Sequence, residues 1–303
     1  MRLWPLTLLA GLAAMLAVAP ARAANEGPPD PVAVMQAAIL KACQASGPQE
    51  MDDLAVDLPG ITPVGPRRGQ RMIIGGWRKI YPLEIGDLTI DWLAPRGLLH
   101  HIRLQLDLDD QGTPLLYAMV ARGCRVKMAR RMEYGSDQRP QRVQILDAEF
   151  MPTGENEALD PPVPAAEDPG GIPVAVIDTG VNYTLDHIVT RLSRGPDGAL
   201  AGYDFWDMDN RPFDANPHRS AFFPARHGTA VSSILLSEAP AAELLIYRYP
   251  RPDMSRFGTI IDRAAAGGAR VVNLSMASFH AEDWVPFRRA MAKHPEMLFV
   301  VAA

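Results

Sequence analysis

The sequence has 303 residues, of which 48% are hydrophobic and 21% charged, with a formal net charge of −5. That length and apolar content are enough for two ordinary domains. The acidic balance gives no footing for a nucleic-acid partner, since such partners require a basic surface.

The chain opens on "MRLWPLTLLAGLAAMLAVAPARA", with Arg2 ahead of an apolar stretch from Leu6 to Val18 and small residues at Ala21 and Ala23. This is the pattern of a secretory signal peptide over residues 1–23, with cleavage expected after Ala23. An uncleaved anchor is the alternative, because Leu3 to Ala21 carries no charge and approaches the ~20 residues of a membrane span. Pro5, Pro20 and the Ala-x-Ala ending favour cleavage, which places the protein outside the cell or in the periplasm. No later stretch is long and apolar enough to cross a membrane. Two cysteines, Cys43 and Cys124, lie beyond the cleavage point. In an exported chain such a pair is expected to form a disulfide.

"PVAVMQAAILKACQA" places Val32, Met35, Ile39 and Cys43 at helical spacing. From residue 71 the pattern turns to strands: "RMIIGGW", "IYPLEI", "LTIDWL", "LLHHIRLQLDL", "PLLYAMVARGCRV" and "RVQILDAEF", parted by turn residues. Ile102, Leu104, Leu106 and Leu108 alternate strictly, as on a half-buried antiparallel sheet. The basic run Arg122, Arg125, Lys127, Arg130 and Arg131 reads as a solvated strand face. Residues 24–151 therefore form a smaller, mainly-β domain with one N-terminal helix. Residues 152–171, "PTGENEALDPPVPAAEDPGG", hold five prolines and five acidic residues and read as a linker that does not pack into a core.

Residues 172–303 alternate strands and helices. "IPVAVID" is a strand buried on both faces, and "GTAVSSILL" is a helix with Val231, Ile234 and Leu235 along its apolar side. "AELLIYRY" is a strand, "TIIDRAAAGG" a helix and "ARVVNLS" a strand. "EDWVPFRRAMAKH" is a helix despite Pro286, and "MLFVVAA" is a buried strand. The order predicts an α/β domain, a parallel sheet with helices on both faces.

Ligands of open parallel sheets bind beyond the carboxyl ends of the strands. Asp178 sits at such an end in "VAVIDTGVNY", and Gly180 lets the backbone turn sharply behind it. His227, in "ARHGTAVSSI", stands just before a helical pattern, where a helix N-terminus disfavours the protonated ring and keeps it available as a base. An Asp that orients a His, and a His that takes a proton from a nucleophile, are two parts of a triad. Asp-Thr-Gly after an apolar run is also the motif of aspartic proteases, but those sit on β folds, which the α/β pattern here opposes.

Taken together, "VAVIDTGVNYTLDH", "HGTAVSSIL" and "ARVVNLSMAS" resemble three successive blocks of the subtilisin-like serine proteases, in the chain order Asp then His. The resemblance covers residues 172–303 and none of 24–151. It implies that Asp178 is the triad acid and His227 the general base. It also implies that Ser275, Met276 and Ala277 pair with an extended polypeptide substrate by β-augmentation. Ala277 stands where the family usually has Gly, which would narrow that subsite. "YDFWDMDNRPFDANP" resembles a segment that binds calcium in some family members; Asp204, Asp207 and Asp209 supply hard oxygen ligands suited to a structural Ca²⁺. The chemistry itself requires no cofactor.

The family's nucleophile lies in a Gly-Thr-Ser-Met-Ala block, and Gly-Thr-Ser occurs nowhere in these 303 residues. The oxyanion Asn of the family follows a strand like "LFVVAA". The expectation is thus the N-terminal part of an exported serine endopeptidase, itself without turnover. The competing reading is a degenerate protease that binds through residues 24–151. Family members also carry a propeptide that assists folding and blocks the cleft; the β domain occupies its place in the chain without its βαββαβ pattern.

Overall fold

The computed structural model describes residues 29–45, 68–73, 76–109, 112–215, 220–249, 254–278 and 280–302. The expected signal segment lies outside them. Helix α1 (Pro31–Gln44) starts at Asp30, whose carboxylate accepts a hydrogen bond from the Val32 amide at 3.1 Å, with proline in the first turn. Its buried face is Val34, Met35, Ala38, Ile39 and Ala42.

Eight strands follow: β1 (Arg68–Ile73), β2 (Gly76–Leu83), β3 (Gly86–Leu93), β4 (His101–Asp107), β5 (Pro114–Ala121), β6 (Arg125–Tyr134), β7 (Pro140–Leu146) and β8 (Pro152–Ala158). They form one antiparallel meander in sequence order. "PLLYAMVARGCRV", expected as one strand, is a hairpin: Cys124 takes a positive φ of 61° in the turn between β5 and β6. That turn brings Cys124 to α1, and the Cys43–Cys124 disulfide forms with the two Cα atoms 5.7 Å apart. On β4, Ile102, Leu104 and Leu106 are buried as the alternation requires; Leu108, past the strand end, is exposed.

The sheet is not half-solvated as expected. Leu104, Leu106, Leu116, Ala118 and Val120 pack on α1, while Tyr117, Met132 and Val143 on the opposite face pack with Leu159 and Phe222. Residues 152–158 do not open a free linker. They pair with β7 as β8, because an outer strand of a sheet can be polar and still satisfy its backbone in the ladder. Residues 159–171 are held along the second domain. Tyr183 donates to the Pro161 carbonyl at 2.6 Å, Arg194 to the Pro164 carbonyl at 2.9 Å, and the Arg194 amide to Asp168 at 2.8 Å.

The second sheet joins β9 (Ile172–Asp178), β10 (Tyr203–Asp204), β11 (Ala242–Arg248), β12 (Val271–Leu274) and β13 (Leu298–Val301) in the order β10-β11-β9-β12-β13, every pair parallel. The pleat sends Ala175, Ile177, Leu245, Val272 and Leu274 onto α4 (Phe257–Ala266) and α5 (Val285–Lys293). It sends Val174, Val176, Leu244 and Ile246 onto α2 (Asp186–Val189) and α3 (His227–Glu238). Each fully buried Leu, Ile or Phe in these layers contributes about 1.5–3 kcal/mol. Pro286 is tolerated because it falls in the first turn of α5, where its missing N–H has no partner to lose. On α3, Val231 and Leu235 pack inward but Ile234 is exposed, one helical step off the buried stripe. Among the described residues, the run "MLFVVAA", expected to be buried, holds the edge strand β13, and Leu298 and Val300 are exposed.

Candidate active site

β9 is the central strand of the parallel sheet and ends in Asp178, so the carboxyl edge delivers this side chain where a parallel sheet exposes its ligands. The chain then turns through Gly180 at φ +99°; a Cβ there would stand 2.6 Å from the Phe213 carbonyl oxygen. His227 is the first residue of α3. The helix can start this close to β9 because residue 228 is also glycine, whose Cβ would lie 2.1 Å from the Gly180 carbonyl oxygen. The two glycines allow the acid-bearing strand and the base-bearing helix to touch.

Across that contact Nδ1 of His227 meets Oδ1 of Asp178 at 2.7 Å. The same oxygen accepts the Thr179 amide at 2.7 Å, while Oδ2 is buried with no hydrogen-bond partner. The side chain of Asp178 is 2% exposed and that of His227 is 51% exposed. A buried carboxylate thus holds the Nδ1 side of the ring, and half of the imidazole side chain is left exposed.

A second buried carboxylate, Asp214, ties the two blocks together. Thr179 donates its hydroxyl to Asp214 Oδ1 at 2.7 Å, and Thr229 donates its amide and hydroxyl to Oδ2 at 2.9 and 2.7 Å. The Gly228 amide in turn donates to the Thr179 hydroxyl at 2.8 Å. Burial pushes the Asp214 carboxyl up, against the opposing pull of these hydrogen bonds from Thr229 and Thr179. Sequence reasoning missed Asp214, Thr179 and Thr229 as a unit. Asp214 sits in a polar loop, and only the fold shows that it is completely buried.

Residues Ser275, Met276 and Ala277 follow β12 directly, and the register pairs Leu274 with Ile177, so they extend from the same edge beside Asp178. Ala277 is exposed, and together with Trp284, Phe287 and Val301 it lines an open cavity of about 330 Å³. Asn273 donates to the Ser275 hydroxyl at 3.0 Å.

The three aspartates expected to hold calcium do not fit a cation. Arg248, on β11, places Nη1 2.9 Å from Asp204 and 2.6 Å from Asp207, and its side chain is 5% exposed. Asp204 also accepts the amides of Trp206 and Asp207. Asp209 faces Arg139 at 3.2 Å and Arg211 at 3.6 Å. Among the described residues, no group of three His, Cys, Asp or Glu side chains is arranged for a metal. A guanidinium occupies the position a cation would take, and it stacks over Trp206, 5.1 Å from the ring centroid. Burial pushes Asp204 up to about 6 in spite of Arg248, and Asp204 and Asp207 hold Arg248 above its ordinary value against its own burial.

A buried carboxylate hydrogen-bonded to a half-exposed imidazole stands at the carboxyl edge of a parallel α/β sheet, an arrangement able to hold one imidazole tautomer and pass a proton. The wider likeness agrees: residues 170–303 match the model of the Subtilase family, Peptidase S8. The chain is 35% identical over 127 residues to the minor extracellular protease Vpr of Bacillus subtilis (strain 168), a match covering 38% of this chain and 15% of the relative. It is 34% identical over 122 residues to a thermophilic serine proteinase of Bacillus sp. (strain AK1), covering 35% of this chain and 26% of that protein. The chain therefore spans about a quarter or less of the curated relatives it matches.

Proposed function

We propose that this chain carries the acid and the general base of an exported serine endopeptidase that hydrolyses polypeptides. The observation that supports this reading is the 2.7 Å contact between Asp178 and His227, with Asp178 buried and the imidazole half exposed. Nε2 of His227 takes the proton of a serine hydroxyl as that oxygen attacks the peptide carbonyl, then returns it to the leaving amine. Asp178 holds the Nδ1–H tautomer and stabilises the imidazolium that forms. The substrate lies extended along Ser275, Met276 and Ala277, pairing its backbone with theirs. Export is supported by the signal-like opening, by the Cys43–Cys124 disulfide and by a relative named as an extracellular protease. No helix among the described residues is long and apolar enough to cross a membrane.

Because these 303 residues contain no Gly-Thr-Ser block, they are expected to give no serine-protease turnover on their own. Casein hydrolysis by the pure protein, blocked by a serine-directed phosphonate, would overturn that. The base is testable without a nucleophile. A peptidyl chloromethyl ketone should alkylate Nε2 of His227, mapped by mass spectrometry, and Asp178→Asn should slow the reaction by more than about tenfold, because the ring then loses its tautomer and orientation. Equal rates in the two proteins would sink the acid–base assignment.

A further inference from the structure

Among the described residues, the hydrogen bonds, ion pairs and core clusters between the eight-stranded domain and the second fall on residues 207–209, 215 and 220–226, ahead of His227. The outer face of the eight-stranded domain contributes Tyr117, Met132 and Val143 to a cluster closed by Leu159 and Phe222, with Ala215, Ala221 and Phe223 packed around it. Arg130, expected on a solvated strand face, is 14% exposed. It donates to the Phe222 carbonyl at 2.8 Å and to Glu157 at 2.9 Å, and stands 4.3 Å over the Phe223 ring. Arg139, in the turn before β7, donates to Asp209 and to the Asp207 carbonyl, both at 3.2 Å.

The grip ends next to the base. Arg226 precedes His227 and adopts a left-handed backbone, φ 53°, which a side chain other than glycine holds only when its surroundings require it. Its guanidinium donates to the carbonyl of Ala158 at the end of β8, at 3.3 Å, and to the carbonyl of Asp214. One arginine thus joins the last strand of the first domain to the loop carrying the buried Asp214 and to the residue bearing the imidazole. None of the hydrogen bonds, ion pairs or core clusters among the described residues joins the eight-stranded domain to Asp178, His227 or residues 275–277. His227 is half exposed with the domain in place.

We propose that the eight-stranded domain is a resident support for residues 204–215 and 220–226, which lead into the base-bearing helix, with Arg226 the positioning residue through which it acts, and not a detachable plug of the cleft. The apolar cluster supplies the adhesion, and Arg130, Arg139 and Arg226 supply the register, since each spends a charged donor on a backbone carbonyl that only this docking presents. The inference rests on packing and holds or fails independently of the acid–base chemistry of His227.

The test uses the whole chain with a site-specific protease sequence inserted between Ala165 and Glu167. After cleavage at physiological salt, the two pieces should co-elute in size-exclusion chromatography at the mass of the uncut protein. Separation of the pieces overturns the proposal. In the uncut chain, Arg226→Gln should raise hydrogen exchange of the His227 Nδ1 proton by about tenfold or more, seen by NMR, with the far-ultraviolet circular dichroism unchanged. An unchanged Nδ1 proton removes Arg226 from the positioning role. If Arg226→Gln fails to fold, the pair Arg130→Ala and Arg139→Ala is read instead in the cut protein. Those changes should release the first domain and raise backbone exchange over residues 220–232. Continued co-elution with unchanged exchange overturns the assigned contacts.

Discussion

Both sheets bury carboxylates, and Asp91 of the first and Asp178 of the second are handled in opposite ways. Asp91 sits mid-strand in β3 and receives Arg78 at 2.6 and 2.7 Å and Arg103 at 3.0 Å, so permanently charged donors saturate both of its oxygens. Asp178 sits at the end of β9, with a titratable ring on one oxygen and nothing on the other. A guanidinium does not give up its proton near neutrality, so the Asp91 cluster can only hold strands together. An imidazole can, so the Asp178 pair can move a proton. Asp204 with Arg248 repeats the first solution within the second domain, which makes the difference one of partner rather than of sheet.

Five experiments would break or sharpen this contrast. The largest effect should come from the first domain, which is stapled rather than thickly covered. Cys43→Ser opens a disulfide with a sequence separation of 81 and should cost roughly 4–5 kcal/mol in urea denaturation, by the entropy of loop closure. Arg248→Ala leaves Asp204 buried without its fixed cation and should cost about 3–5 kcal/mol. If the guanidinium does the work of an ion, calcium chloride should leave the Tm of the unaltered protein where it is; a clear rise would restore the metal reading. Thr179→Val strips one hydroxyl from the buried Asp214 and should cost about 1–3 kcal/mol. A neutral result would show that Asp214 is not what locks the acid block to the base block.

The smallest effect concerns a surface pair that does titrate, His294 with Asp262 at 2.8 Å, bridging the end of α5 to α4. The hydrogen bond that His294 donates to Asp262 raises the imidazole and lowers the carboxyl. The pair stabilises the fold at pH values above the ordinary carboxyl range and below the ordinary imidazole value. Its contribution is lost on acidification as Asp262 protonates, and lost on raising pH through the elevated imidazole value. His294→Gln should therefore flatten the fall in stability between about pH 6 and 8. The change should be less than about 1 kcal/mol, because an exposed pair is screened.

The readable parts of the sequence were those set by local pattern. "VAVID" announced β9 and "HIRLQLD" announced β4, because the side-chain period follows from backbone geometry alone. Asp178 and His227 were legible because one stands where a strand pattern ends and the other where a helical pattern begins, and the structure brings them together. What stayed hidden depends on which distant groups meet. The polar run "PTGENEA" gave no strand signal, since β8 is secured by pairing with β7 and not by its own composition. The acid-rich turn at Asp204 looked like a calcium loop until Arg248, 44 residues on, was found inside it. Arg130 looked solvated because nothing near it in the chain indicates that Phe222 and Phe223 cover it.

The amino-acid sequence by itself determined the two kinds of sheet and marked Asp178, His227 and residues 275–277 as candidates at strand ends and a helix start. Periodicity, strand-end carboxylates and helix starts are properties of short stretches. The tertiary structure alone decided which cation neutralises each buried carboxylate, and that the first domain leans on the loop behind His227. Pairings between charges far apart in the chain cost loop entropy and gain their energy only once both partners are desolvated together, so no local pattern encodes them.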